Sequence, residues 1–562
     1  MPWLSSANAM LLPMAVLAAV IVCVAIFVFQ RLRKRAEREL LSAFGKAPEH
    51  ERKDVSSVRL YHTLYRENRP CGRFVDDITW NDLNMDDVFW RVNACASFAG
   101  EEYLYHILHD LKPDAAALEK RERLYALMEE YPLKRLRLQK KLRGIGKRKN
   151  NGLGAYLFDA RSKKLRYAWV YPLLGALPLC GAALLPFARE IGLFFLLCAA
   201  GVNLGVYFFK RSSLETELSA MQSVSALLYG ARGVESELGE TLLALGFDVK
   251  SALRPFKKLG GLLPEGARRG VSELEALIVL LKAAFLIDFI LFNRTVRILC
   301  RHTKELNLLF EAVGEVDAAV SVASFRRSLP RFCLPRFGEE TALRFEEAYH
   351  PLLKDPVANS ASITRTSIVT GSNASGKSTF IKALAVNAIL AQTIHTCCAR
   401  EYALYFCYVA TSMALKDDVL HGESYFVAEI NSLKRILGYC AQKKCACFID
   451  EILRGTNTPE RIAASTAVLR HLSRSGSLCV AASHDIELTE LLVDACDNYH
   501  FSESLLGGAV HFDYLLKDGP SRSTNAIKLL RHMGFDEEVV EEAARLAGFR
   551  APPEPAYFIE KK

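Results

Sequence analysis

The chain contains 562 residues, of which 51% are hydrophobic, and its formal net charge is +9 at pH 7. This length excludes a single ordinary core and predicts two to four domains. The hydrophobic content is high for a soluble protein, and three long apolar runs account for the excess.

The first apolar run, Ala9–Phe29, has about the length needed to cross a bilayer. No charged residue precedes it, whereas basic residues follow it at once: Arg31, Arg33, Lys34, Arg35 and Arg38. This order is the reverse of a secretory signal peptide and indicates a retained anchor, with the N-terminus outside and the rest inside. We predict a transmembrane helix within residues 1–38, followed by a linker over residues 39–75.

Two further apolar runs, Ala168–Ala188 and Ile191–Phe209, are separated only by Arg189 and Glu190. Basic residues flank the pair on both sides: Arg161, Lys163, Lys164, Arg166, Lys210 and Arg211. Basic flanks favour the cytoplasmic side, so both ends of the pair are expected there. We predict a transmembrane hairpin over residues 168–209, in a multi-pass protein of the cell membrane whose C-terminal domain is cytoplasmic.

A fourth apolar run, Ala276–Phe292, contains Lys282 and Asp288, and charges are costly at bilayer depth. We predict a buried helix of the soluble part or a helix packed against the membrane, with a further crossing as the less favoured alternative. Helical patterns surround these runs at Thr79–Leu111, Asp114–Glu130, Ser213–Gly246 and Leu306–Leu329. Residues 76–330 are therefore predicted to form an all-α domain that the hairpin interrupts.

The net positive charge is concentrated in Lys134–Lys149, which holds nine basic residues and no acidic one. A basic cluster beside a membrane segment most often meets anionic lipid headgroups, so membrane lipid is an expected partner. Nucleic acid is the open alternative, because its phosphates attract the same charge. The fifteen cysteines show no paired zinc spacing and are expected to be reduced thiols.

The chain changes character after about Arg344, where short β-branched or aromatic runs alternate with helical patterns. The predicted strands are Arg365–Thr370, Tyr402–Val409, Ala446–Ile449 and Leu478–Ser483, and a last helix is predicted over Asn525–Ala547. Such alternation is typical of a doubly wound α/β domain that binds ligands at the carboxyl ends of its strands. We assign residues 331–548 to this domain and residues 549–562 to a tail.

A complete G-x-x-x-x-G-K-S loop lies between a predicted strand and a helical pattern in this domain. Its backbone N–H groups and the helix N-terminus face phosphates, Lys377 reaches the β and γ oxygens, and Ser378 can ligate Mg²⁺. ATP with Mg²⁺ is therefore the expected ligand. The predicted binding residues are Gly371, Ser372, Asn373, Ala374, Ser375, Gly376, Lys377, Ser378 and Thr379.

Polar residues at later strand and helix ends suit the rest of a phosphoryl-transfer site. Asp450 ends an apolar strand and can hold Mg²⁺, while Glu451 can orient and deprotonate the attacking water. His484 ends the next strand, where it can contact the γ-phosphate. Ser424 can cap the helix that follows it, and a capped N-terminus is an anion site. The phosphates of the nucleotide bound to the same chain are expected on the loop Gly371–Ser378. Ser424 is therefore predicted to contact the γ-phosphate in a partner subunit's site, which implies a dimer.

The motif segments resemble those of the MutS family of mismatch-repair ATPases. Thr370–Thr379 resembles the family's phosphate loop, including its internal asparagine, and Asp450–Thr458 is similar to its Asp-Glu-Ile-Gly-Arg-Gly-Thr-Ser-Thr segment. The resemblance is strong over residues 344–547 and weaker over residues 79–330. Further segments that resemble family motifs are Ser424–Glu429, Ser483–Thr489 and Tyr349–Pro351.

The resemblance implies a P-loop ATPase domain of the ABC/MutS type, a helical MutS-core-like domain, a homodimer through the ATPase domains, and double-stranded DNA as a partner. The chain departs from the family in two ways: it leaves no room for a mismatch-reading domain before residue 76, and the hairpin interrupts the region expected to close around DNA. Two functions therefore stay open. One is a mismatch-repair-related ATPase held at the membrane, and the other is a membrane-remodelling or signalling ATPase built on the same engine.

Overall fold

The computed structural model describes two compact units, and each draws on more than one stretch of the chain. The first unit comprises residues 1–72, 89–108 and 116–330, and the second comprises residues 73–88, 109–115 and 331–562. The domain boundaries drawn from the sequence stay predictions. The residues described are 3–50, 54–69, 73–147, 152–158, 164–165, 167–259, 273–372, 375–413, 425–506, 509–521, 527, 530–531 and 533–546.

The part of the chain before the first strand is helical. Its helices are α1 (Trp3–Ala43), α2 (Leu60–Asn68), α3 (Asp77–Asp82), α4 (Met85–Val92), α5 (Phe98–His109), α6 (Ala115–Glu130), α7 (Pro132–Arg143), α8 (Leu153–Phe158), α9 (Val170–Leu184), α10 (Arg189–Ser213), α11 (Glu215–Ala244), α12 (Val249–Ala252), α13 (Glu273–Ala284), α14 (Ile287–Arg301) and α15 (Thr303–Arg327). Helix α15 is buried along nearly all of its length and provides much of the core of the first unit. A mixed helical and α/β chain of this kind fits a MutS-like fold.

The single helix predicted over Thr79–Leu111 is wrong, because the structure divides this segment into α3, α4 and α5. Asn84 adopts a left-handed conformation (φ 53°) between α3 and α4. Between α4 and α5, the buried Asp317 carboxylate accepts hydrogen bonds from the backbone N–H groups of Ala96 (3.0 Å) and Ser97 (2.8 Å). Helical periodicity cannot reveal this second break, since the residue that holds it lies far along the chain.

Helices α9 and α10 pack closely side by side and carry the two apolar runs of the predicted hairpin. A Cβ atom at Gly181 would lie 2.7 Å from the backbone nitrogen of Leu196, so glycine permits the close approach. Within the described residues, α10 is the one helix long and apolar enough to cross a membrane, and α9 is shorter. Large apolar side chains are exposed on the pair: Leu173, Leu179, Phe187, Ile191, Phe194, Leu197, Val202, Phe208 and Phe209. The transmembrane assignment of the hairpin stays a prediction.

The fourth apolar run is two helices rather than one, because Leu286 adopts a left-handed conformation (φ 50°) between α13 and α14. The run packs against the hairpin through buried polar contacts. The side-chain amide of Asn203 in α10 donates to the carbonyl oxygens of Leu174 (2.9 Å) and Ala284 (2.7 Å). The single helix predicted over Ala276–Phe292 is therefore wrong over the described residues, and its packing against a membrane stays a prediction.

The described part of the basic run, residues 134–147, lies in α7 and the turn after it, and most of its charges are paired within the first unit. The pairs are Arg137 and Lys141 with Glu237 (2.9 Å each), Lys140 with Glu37 (2.5 Å), Arg143 with Glu39 (3.7 Å) and Lys147 with Glu101 (2.8 Å). Over the described residues 134–147, most of the basic side chains thus have a carboxylate partner, which leaves less unpaired charge for lipid headgroups or nucleic acid than the sequence indicates.

The second unit contains two sheets. The strands are β1 (Arg336–Gly338), β2 (Leu343–Ala348), β3 (Asn359–Ile363), β4 (Ser367–Thr370), β5 (Glu401–Tyr405), β6 (Tyr408–Ser412), β7 (Cys445–Asp450), β8 (Leu478–Ala482), β9 (Asp497–Leu506) and β10 (Ala509–Asp518). The helices are α16 (Lys377–Ile394), α17 (Tyr425–Cys440), α18 (Thr458–Arg474), α19 (Glu487–Leu491) and α20 (Glu537–Leu546).

The larger sheet has the order β10-β9-β4-β8-β7-β6, and its strands are parallel except for β10. The smaller sheet has the order β1-β5-β2-β3. The strand predicted over Tyr402–Val409 is therefore two strands in different sheets. Strands β4, β7 and β8 are buried along their full lengths, which explains their continuous apolar sequences. Their carboxyl ends meet at one edge, where the predicted site residues follow.

Candidate functional site

The phosphate loop joins the end of β4 to the start of α16. Gly376 immediately precedes the helix with φ at +101°, a conformation that residues with a Cβ atom rarely adopt. A Cβ atom there would also lie 3.0 Å from Cδ1 of Tyr514. Glycine at this position is therefore required by backbone geometry. Asn373 and Ala374 of the predicted loop lie outside the described residues.

Lys377 is nearly buried in this loop, and its side chain turns back across it. The ammonium group donates to the carbonyl oxygens of Gly371 (2.8 Å) and Ser372 (2.7 Å). Burial lowers the pKa of Lys377, although the charges of Glu451 and Asp450 oppose this effect. The lysine is thus held over the concave side of the loop, where a phosphate oxygen could replace its carbonyl partners.

The acidic pair follows β7, and its two carboxylates have different surroundings. Asp450 is 7% exposed, and its Oδ1 atom is buried without a hydrogen-bond partner among the described residues. An unpartnered buried carboxylate oxygen is costly unless a cation or another donor meets it. Glu451 leaves the strand in a left-handed conformation (φ 59°), which separates its side chain from that of Asp450.

His484, at the end of β8, contacts Glu451 directly, with 2.7 Å between Nε2 and Oε1. The other oxygen of Glu451 forms an ion pair with Arg454. Burial raises the pKa of Glu451, but the hydrogen bond from His484 and the charges of Arg454 and Lys377 outweigh it, so the pKa is below its ordinary value. Glu451 is therefore a charged proton acceptor at neutral pH.

A cavity of about 510 Å³ is lined by both Lys377 and Glu451, whereas Asp450 and His484 are not among its lining residues. One side is formed by Ser375, Gly376, Lys377, Ser378, Thr379 and Glu451, and the remaining walls are formed by Ala348, Tyr349, His350, Leu353, Asp355, Val357, Asn359, Phe380, Ala383, Phe501 and Tyr514. The cavity thus has a polar end at the phosphate loop and a largely apolar lining elsewhere. Its volume is in the range of small-ligand sites, and such a division suits a nucleotide.

The donor set fits Mg²⁺ as a partly protein-bound ion. Magnesium usually takes one or two protein carboxylates and completes its shell with phosphates and water. Within the described residues no group of three or more His, Cys, Asp or Glu side chains could hold a metal by itself. The exposed Ser378 hydroxyl in the cavity wall and the unpartnered oxygen of Asp450 are the two groups that could contribute.

Sequence reasoning missed Tyr514, which lines this cavity, and Glu503, which contacts the phosphate loop. The hydroxyl of Ser372 donates to Glu503 on β9, and Tyr514 on β10 lies beside Gly376. Neither residue belongs to a motif, and only the pairing of β9 with β4 brings them to the loop. The lead-in Tyr349-His350-Pro351 carried a signal, since two of its residues line the cavity. Ser424 lies outside the described residues, so its predicted role in a partner's site is untested.

His350, which lies in the cavity wall, makes the stability of the folded chain depend on pH. Burial, with the nearby charge of Lys382, lowers the pKa of His350 from 6.5 to about 4. Between pH 6.5 and about 4, His350 is protonated in the unfolded chain but neutral in the folded chain. The free energy of unfolding therefore decreases as the pH falls below about 6.5. We expect the free energy of unfolding to fall by about 2 kcal/mol between pH 7 and pH 5 from this residue.

Denaturant unfolding of the detergent-solubilised chain at both pH values would measure this effect. The matched variant is His350→Asn, whose side-chain oxygen can still accept the 3.3 Å hydrogen bond from the backbone of Leu352. Between pH 7 and pH 5, the free energy of unfolding of this variant should fall by about 2 kcal/mol less than that of the native chain. An equal loss in both proteins would remove His350 as the cause.

The fold and the site together define a parallel α/β domain with a phosphate loop beside an acidic strand end. The family model for MutS domain V matches residues 367–548. Similar curated proteins are the DNA mismatch repair proteins MutS of Aquifex pyrophilus (30% identical over 44% of this chain), Natronomonas pharaonis (28% over 44%) and Listeria monocytogenes (26% over 46%).

Residues 367–548 therefore match MutS domain V, and the likeness to these MutS proteins covers less than half of the chain. The match spans 31%, 30% and 32%, respectively, of the length of those three relatives. The likeness is therefore to one part of each relative.

Proposed function

We propose that the chain is a membrane-anchored ATPase of the MutS type. The observation that carries this proposal is one cavity that both Lys377 and Glu451 line at the phosphate loop, together with the unpartnered oxygen of Asp450, the residue before Glu451. A cation for phosphate, a charged base and a vacant metal-ligand oxygen are the groups that phosphoryl transfer to water uses.

Each residue then has a defined task in hydrolysis. Lys377 and the loop N–H groups bind the phosphates, and Glu451 accepts a proton from the attacking water. His484 holds Glu451 in place and meets the γ-phosphate. Ser378 and Asp450 would hold Mg²⁺, which supplies electrostatic stabilisation of the phosphate oxygens.

ATP binding is further proposed to close a homodimer through the ATPase domains, with Ser424 completing the partner's site. Because the relatives are DNA mismatch repair proteins, double-stranded DNA is the first candidate partner. The ATPase domain is proposed to be cytoplasmic in a multi-pass protein of the cell membrane, on the strength of the basic flanks of the apolar runs.

A second function, membrane remodelling or signalling by the same engine, is favoured by a different observation. The α9–α10 pair exposes large apolar side chains, and the basic run that could have served DNA is mostly paired internally. Under this alternative, ATP hydrolysis drives a change in the membrane and not in duplex DNA.

One assay separates the two functions. The detergent-solubilised full chain should hydrolyse ATP in the presence of Mg²⁺ and lose this activity with a chelator. Stimulation by duplex DNA that disappears steeply with added salt would support the DNA-handling function. Stimulation by lipid vesicles without any effect of DNA would support the alternative. Absence of Mg²⁺-dependent hydrolysis under both conditions would contradict the proposal itself.

A further inference from the structure

A second cavity lies in the first unit, at the base of the apolar hairpin, and it is basic. Its volume is about 580 Å³, within the range of small-ligand sites. It is lined by Lys164, Leu165, Ala168, Asn293, Arg297, Cys300 and Arg301. The three cationic side chains converge from two separate parts of the chain, the segment that leads into α9 and the second half of α14.

The arginines of α14 form a regular row along one side of this cavity. Asn293, Arg297 and Arg301 recur at intervals of four residues, so they share one face of the helix. With a rise of about 1.5 Å per residue, Arg297 and Arg301 lie roughly 6 and 12 Å beyond Asn293 along the axis. Lys164 adds a third positive charge from across the cavity.

Among the described residues these three charges have no ionic partner, in contrast to most charges of α7. No carboxylate lies within ion-pair distance of Lys164, Arg297 or Arg301 in the part of the chain that the structure describes. Unpaired cations around a concave surface attract an anion more strongly than isolated surface charges. Planar guanidinium groups suit phosphate oxygens in particular, because they can donate two parallel hydrogen bonds.

The position of the cavity identifies the kind of phosphate. The first turns of α14 pack into the hairpin, where the ring of Phe289 lies 5.3 Å from that of Tyr171 and 5.5 Å from that of Tyr207. Ala168 lines the cavity two residues before α9 begins. The basic cavity therefore lies where the chain passes from polar sequence into the exposed apolar helices.

Aromatic and aliphatic side chains next to the cavity complete this pattern. Tyr167 and Trp169 are 59% and 67% exposed, and Leu173, one turn further along α9, is 59% exposed. Exposed Trp and Tyr beside a basic pocket are typical of the boundary between headgroups and acyl chains. A nucleic-acid backbone would gain from the cations but nothing from the exposed apolar side chains.

We propose that this cavity binds the phosphate of an anionic phospholipid headgroup, with the acyl chains lying along the exposed apolar side of α9. The proposal rests on the membrane anchoring of the proposed function and adds a lipid-specific site to it. Arg297, Arg301 and Lys164 hold the phosphate, and Trp169 and Leu173 contact the first carbons of the lipid.

Trp169 supplies a reporter for the test. The chain has four tryptophans, and Trp80 and Trp90 are buried. In a Trp3→Phe background, quenching of fluorescence by brominated lipid therefore reports mainly on Trp169. The full chain is reconstituted in phosphatidylcholine vesicles that contain brominated phosphatidylglycerol or, in parallel, the same fraction of brominated phosphatidylcholine.

We expect brominated phosphatidylglycerol to quench Trp169 at a lower lipid fraction than brominated phosphatidylcholine does. The double variant Arg297→Gln/Arg301→Gln should weaken this preference about 25-fold, roughly fivefold for each arginine. The matched control is Arg294→Gln, which changes an exposed arginine of the same helix outside the cavity and should retain the preference.

The other outcomes overturn the proposal in distinguishable ways. Equal preference in the double variant and the native chain would show that the arginines bind no lipid. If neither brominated lipid quenches Trp169, the hairpin is not in the membrane, and its part in the proposed anchoring fails together with this site. Equal quenching of the native chain by the two brominated lipids, together with binding of inorganic phosphate that the double variant loses, would assign the cavity to free phosphate. Weaker binding of duplex DNA by the double variant, with unchanged lipid preference, would assign it to nucleic acid.

Discussion

Glu451→Gln should bind ATP with nearly native affinity but hydrolyse it about 10²- to 10⁴-fold more slowly. Glutamine keeps the size of the side chain and can still accept a hydrogen bond from His484, which lies 2.7 Å from Oε1 in the native chain. It cannot take a proton from water, because the amide has no basic oxygen at neutral pH. Single-turnover hydrolysis and binding of a fluorescent ATP analogue would measure the two quantities separately.

The lowered pKa of Glu451 gives this prediction a further test. The native turnover should stay constant as the pH falls from 7 toward 5, since hydrogen bonding to His484 and the charge of Arg454 keep the carboxylate ionised despite its burial. The matched control is Glu490→Gln, an exposed glutamate on α19 away from the cavity. Native turnover in Glu451→Gln would exclude this residue as the base and leave the water to be activated by another group.

Local sequence was sufficient to predict the elements around the phosphate loop. A strand, a glycine-dependent turn and a helix are specified by neighbouring residues, and β4 and α16 lie where the motif requires them. The acidic strand end was equally readable, since the apolar residues of β7 stop at Asp450. The contact between His484 and Glu451 follows from parallel pairing of β7 with β8, which places both strand ends at one edge.

Features that depend on distant parts of the chain could not be read from periodicity. The break between α4 and α5 is fixed by Asp317, and the charges of α7 are neutralised by carboxylates on α1 and α11. Tyr514 reaches the cavity wall, and Glu503 reaches Ser372 of the loop, because β9 and β10 extend the sheet beyond β4. In each case, the residue that decides the structure lies outside the local pattern that it changes.

Lys377→Met should weaken ATP binding about 10- to 100-fold, the loss expected for hydrogen bonds from a charged donor to phosphate. Methionine retains the apolar stem of the nearly buried side chain but removes the ammonium group. The carbonyl oxygens of Gly371 and Ser372 lose their partner, so some loss of thermal stability in the nucleotide-free state is expected as well. Titration with a fluorescent ATP analogue gives the affinity, and thermal unfolding with and without ATP gives its linked stabilisation.

A control variant on α16, Lys382→Met, separates the effect of a charge at the phosphate loop on ATP affinity from the effect of a charge on the helix surface. Lys382 lies five residues further along α16, outside the cavity wall, and its ammonium group donates to the side chain of Asn84 (3.3 Å). Lys382→Met removes the same charge from the same element, so its ATP affinity should stay within about twofold of native, since the two lysines differ chiefly in access to the phosphates. Equal losses in the two variants would mean that Lys377 acts only through the general field of the domain. A loss confined to Lys377→Met would place its ammonium group on the bound phosphates.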